Sequence, residues 1–65
     1  MFYPKTIKGC EEYIMEQVNA ANGEAVSVNV APKFMSRAKN NLIERGEIVQ
    51  TKMYAGIKTA YVKKA

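Results

Sequence analysis

The chain has 65 residues, enough for one small domain over residues 1–65 and too few to build the pocket that most multi-step enzymes need. Hydrophobic residues make up 48% and charged residues 25%, ordinary globular usage that excludes a disordered chain, although eight alanines and one leucine leave few large side chains for a core. The net charge of +4 is unevenly placed, because residues 1–32 sum to −2 and residues 33–65 to +6. A basic half of this kind is the expected footprint of a polyanion-binding surface, and basic tails and solubilising charge also produce it.

The first predicted element is a helix over residues 6–21. Ile7, Cys10, Ile14, Val18 and Ala21 fall within a stripe of roughly 80° at about 100° per residue, with Glu12 and Glu16 opposite. Thr6 suits the N-cap, and Asn22-Gly23 suits a left-handed stop. Tyr13 and Met15 flank the stripe and widen its buried face. Glu11, Glu12 and Glu16 read as a helix surface run with no pocket to pair with. Residues 24–30 then change period: Val26, Val28 and Val30 alternate with Ser27 and Asn29, as in a half-buried strand.

Pro32 fits the first turn of a second helix that runs to about Arg45 and stops at Gly46. Ala31, Phe34, Met35, Ala38 and Leu42 define its inward side. Lys33, Ser36, Arg37, Asn40 and Glu44 fall on the outward side, with Lys39 on the shoulder and Ile43 between the faces. Asparagine is a poor helix former, so Asn40-Asn41 in mid-helix asks for a reason beyond solvation. Two β-rich runs, 47–53 and 57–63, flank Tyr54-Ala55-Gly56 and predict a hairpin. The expected class is α+β, in the order helix, strand, helix, strand, strand.

Ala31-Pro32-Lys33, then Ser36-Arg37, then Asn41-Leu42-Ile43-Glu44-Arg45-Gly46-Glu47-Ile48 running into a basic hairpin, resembles the latter half of a winged helix-turn-helix domain. In that family, a leucine, a charged pair, a glycine and a β-branched residue or leucine end the recognition helix and begin the wing. The first helix and the valine strand resemble the elements that precede this unit. A full member has another helix and a turn between the first strand and the recognition helix, and the ten residues 22–31 that separate the two predicted helices here leave room for one turn of it or none.

The resemblance implies a compact winged-helix-like domain that binds double-stranded DNA, as a transcription regulator or accessory factor of a phage, plasmid or similar element. It implies that Lys33, Ser36, Arg37 and Asn40 face the major groove, where arginine can pair with guanine and asparagine with adenine. Lys39 and Arg45 would contact phosphate from the rim. Lys52, Tyr54 and Lys58 would act from the wing, extended by Lys63 and Lys64, with Tyr54 either stacking on a base or sugar or folding back over the hairpin. Neutralising about four to six phosphates gives a log–log salt slope of roughly −3.5 to −5.5.

The alternative is a protein-interaction module on the same scaffold, an inhibitor or adaptor of a host enzyme or polymerase, with four methionines and the aromatics Phe2, Tyr3 and Tyr54 as an adaptable contact surface. A homodimer is compatible with the small core and would suit two-fold DNA sites. Enzymatic chemistry is the weakest fit: the chain contains no histidine and no aspartate, and it offers no phosphate loop, metal-ligand spacing or cofactor fingerprint. Cys10 is alone and reads as a small buried hydrophobe, and no apolar stretch is long enough for a membrane span or signal peptide, so the expected location is the cytoplasm.

Overall fold

A computed structural model describes residues 4–53 and 58–65, with residues 52 and 53 as backbone only. The elements follow the expected order: α1 (Ile7–Ala20), β1 (Val26–Asn29), α2 (Met35–Glu44), β2 (Ile48–Met53) and β3 (Thr59–Lys64). Thr6 caps α1 in an extended conformation, its hydroxyl accepting the Gly9 N–H at 3.0 Å. Cys10, Ile14 and Val18 are its buried positions, one per turn along the predicted stripe. Past its end the chain turns through Asn22 (φ 52°) and Gly23 (φ 91°), the left-handed pair that stops the helix.

The second helix starts later than its sequence suggests. Pro32 lies in a lead-in turn closed by the Met35 N–H donating to the Pro32 carbonyl at 3.1 Å, and Phe34 occupies the cap position with no side-chain cap. None of residues 31–34 carries the short polar side chain that would nucleate an earlier start. Lys33 therefore sits on the turn before α2 and not within it. At the other end Gly46 (φ 77°) donates to the Ile43 carbonyl and Glu47 to the Leu42 carbonyl, both at 3.0 Å, a glycine stop that turns the chain directly into β2.

The three strands form one antiparallel sheet in the order β1-β3-β2. Val26 pairs with Val62, Val28 with Ala60 and Gln50 with Val62, and a register shift between Gln50 and Lys52 marks a bulge in β2. Val28, Ile48, Ala60 and Val62 are buried, and with Cys10, Ile14, Val18, Met35, Ala38 and Leu42 they form the core between the sheet and the two helices. Ile43, which the helical wheel leaves between the faces, packs against that core. Residues 21–34 contain β1 and turns and no helix, so α1 leads to α2 through the strand alone.

Candidate nucleic-acid interface

One face of α2 is left uncovered by the fold. Ser36, Arg37, Asn40 and Glu44 are exposed along it, and with Lys33 and Asn41 they line one open, polar depression. The Lys33 ammonium stands 5.3 Å from the centroid of the Phe34 ring, within cation–π range. At the same end of α2, the Val30 N–H donates to the Lys58 carbonyl at 2.9 Å. That bond ties the start of the return strand, where Lys58 is exposed, to the segment leading into α2.

Two of the expected phosphate contacts are placed differently. Lys39 is only 4% exposed, and its ammonium donates to Gln50 Oε1 at 2.8 Å. Its position adjoins buried Ala38, and the hydrocarbon stem can be covered while the head reaches β2. Burial pulls the Lys39 amine below its ordinary value. Lys39 thus joins α2 to the hairpin and does not lie on the outer rim.

Arg45 is engaged within the chain: its guanidinium donates to Glu11 Oε1 at 2.8 Å and to Glu47 Oε2 at 2.7 Å. These bonds hold the Arg45 guanidinium protonated even more firmly than usual. Glu11 also accepts from Asn41 Nδ2 at 3.1 Å. Its carboxyl is held below the usual glutamate range, first by the Arg45 bond and then by the Asn41 bond. Glu11 is therefore not a simple surface acid, and Asn41 has its mid-helix role in this clamp between α1 and α2.

Lys63 and Lys64 are exposed at the end of β3, where Lys64 pairs with Ile48 just past the C-terminal end of α2. They lie at the opposite end of the strand from Lys58. The Lys52 side chain, Tyr54, Phe2 and Tyr3 lie outside the described residues. Cys10 is buried, and its thiol is raised by that burial.

Lys5 is a residue that composition by halves conceals. It belongs to the acidic half by sequence, yet Pro4 and Lys5 lie against Pro32, Lys33 and Phe34, the five residues lining a small apolar notch beside the exposed face of α2. The signal available in sequence was Gly9: a Cβ there would come within 2.8 Å of the Pro4 side chain, so glycine is what lets the leading segment fold down on α1.

No family model matches the chain, and no curated protein or solved structure matches it.

Proposed function

We propose that the protein binds double-stranded DNA through the exposed face of α2, with the β2–β3 hairpin alongside as a wing, and that it serves as a small regulator or accessory factor. The observation that carries this reading is the exposed row Lys33, Ser36, Arg37, Asn40 along one polar depression, with the strand that begins at exposed Lys58 bonded to the segment leading into α2. A helix of this width enters the major groove of B-DNA, where Arg37 has the fork geometry to pair with guanine and Asn40 the amide to pair with adenine. Lys33, on its turn, and Lys58, on the hairpin, suit the phosphates that flank the groove. With Lys39 buried against Gln50 and half-exposed Arg45 paired with Glu11 and Glu47, the positioning cations are fewer than the sequence suggests, and the salt slope belongs at the shallow end, near −3.5.

A gel-shift titration with random duplex at several salt concentrations tests the reading. The expected result is a complex at low salt that weakens with a slope near −3.5, with Arg37→Gln costing about tenfold or more in affinity for the preferred sequence. Double-stranded RNA, whose major groove is too narrow for side chains to read, competes poorly. Absence of a complex at low salt, or a complex indifferent to salt, overturns the proposal.

A further inference from the structure

We infer that the notch formed by Pro4, Lys5, Pro32, Lys33 and Phe34 holds the sugar–phosphate backbone of one DNA strand beside the groove occupied by α2. The inference rests on the duplex-binding reading and adds to it a site and a residue, Lys5. Three observations combine. The floor of the notch is apolar, supplied by two prolines and a phenylalanine, and two lysines stand on its lining. The notch also shares Lys33 with the polar depression along α2, so the two surfaces are continuous.

The third observation is that Lys5 is anchored, which a lysine on a loose terminus would not be. Pro4 before it is held by the Cys10 thiol donating to the Pro4 carbonyl at 3.3 Å and by close packing over Gly9. Thr6 after it caps α1 through its hydroxyl and accepts the Cys10 N–H through its carbonyl at 3.0 Å. The Lys5 backbone is thus fixed on both sides, and less conformational freedom is lost when its ammonium meets an anion.

A nucleic-acid strand alternates anionic phosphates with deoxyribose rings that present carbon to their surroundings. Its chemistry matches an apolar notch with two lysines on its lining: the sugar rests on Pro4 and Pro32 while phosphates meet Lys5 and Lys33, the latter leaving its place over the Phe34 ring for the anion. Backbone contacts of this sort fix register and carry no base preference. Lys8 is the internal contrast, because it lines a separate hollow in which Glu11, Glu12 and Glu47 outnumber Lys8 and Arg45, and Arg45 is already engaged by two of those carboxylates.

The experiment compares wild type, Lys5→Gln, Lys5→Arg and Lys8→Gln in salt titrations on A·T-rich and G·C-rich duplexes. Lys5→Gln is expected to reduce the salt slope by about 0.9 and to weaken binding by the same factor on both duplexes, while Lys5→Arg keeps the wild-type slope. Lys8→Gln removes the same charge and is expected to leave the slope near wild type. If Lys5→Gln and Lys8→Gln give equal slopes, the notch proposal falls while duplex binding by α2 stands. If wild type forms no complex at low salt, both fall. A Glu-Glu-Phe-Glu-Glu peptide that binds in a Lys5-dependent way, with duplex slopes unchanged, identifies a protein-docking notch and also overturns the proposal.

Discussion

At the scale of single residues, Lys39 shows how much a side chain's role depends on where its atoms end. A helical wheel treats lysine as polar and assigns it to the surface. In the fold its stem is enclosed and its ammonium meets a neutral amide oxygen, Gln50 Oε1, at 2.8 Å. Burial beside a neutral amide oxygen penalises the charged form, and the amine is pulled below its ordinary value near 10.5. For a lysine lowered in the folded state, the unfolded chain binds more protons wherever pH lies between the two values. Stability therefore rises as pH climbs from the folded value toward 10.5, and the penalty is present throughout neutral pH. Replacing the charge with a similarly shaped apolar chain removes the penalty, and exposed Gln50 regains water. Lys39→Met is expected to be as stable as wild type or more so by about 1 kcal/mol at pH 7, and to lack its share of the alkaline rise. Urea unfolding at pH 7 and pH 10 measures both effects. The same variant should bind duplex with unchanged salt slope, because Lys39 does not face the groove, and a slope reduced by about 0.9 would restore it to the phosphate-contacting set.

Between elements, α1 and α2 are joined by a polar clamp as well as by the core. Glu11 on α1 accepts from Asn41 and from Arg45 Nη2, one turn apart at the C-terminal end of α2, and Glu47 accepts from Arg45 Nε. Arg45 is half exposed and Glu11 is 15% exposed, so solvent screens the pair and the clamp sets geometry more than it adds stability. The sign of its pH dependence follows from the depressed Glu11 carboxyl. Its contribution is present above the ordinary value near 4.5 and is lost as pH falls through the lower folded value. Glu11→Gln is thus expected to be less stable than wild type at pH 7 and to lose less on acidification below pH 4.5, as followed by thermal melts across that range. Parallel acid curves for the two proteins would remove the clamp from the stability of the fold. The elements themselves were legible from local chemistry: the α1 stripe, the Asn22-Gly23 turn, the alternating valines and the Gly46 stop each write their conformation into a few neighbouring residues. The start of α2 was not, because Pro32 is equally at home in a first helical turn and in the turn before it, and no capping side chain marks the boundary. The Glu11 clamp and the Lys5–Lys33 neighbourhood were illegible for a different reason, since each joins residues about thirty apart that only tertiary packing brings together.

On the scale of the whole molecule, folding redistributes the charge that divides so sharply along the chain. Glu11 of the acidic half is engaged with Arg45, and Lys5 of the same half lines one notch with Lys33, so Lys5 and Lys33 stand near the start of α2, while exposed Lys63 and Lys64 lie past its other end. If the chain binds duplex as proposed, its size limits what one copy reads. The backbone extends 26 × 26 × 23 Å, shorter than the roughly 34 Å of a helical turn of B-DNA, so on the proposed duplex-binding reading one copy is expected to engage one major-groove segment. At about 3.4 Å per base pair, 26 Å corresponds to roughly eight base pairs. On the same reading, greater specificity than one short groove segment offers is expected from a second copy bound one turn away, which two-fold symmetric operators accommodate. Titration into duplexes of about 8, 16 and 24 base pairs, read by analytical ultracentrifugation, is therefore expected to saturate at one, two and three chains respectively. If the chain instead adds to the 16-base-pair duplex only in pairs and fails on the 8-base-pair duplex, the binding unit is a preformed dimer. A single chain that occupies all 24 base pairs would contradict the dimensions of the fold and the groove-sized contact they allow.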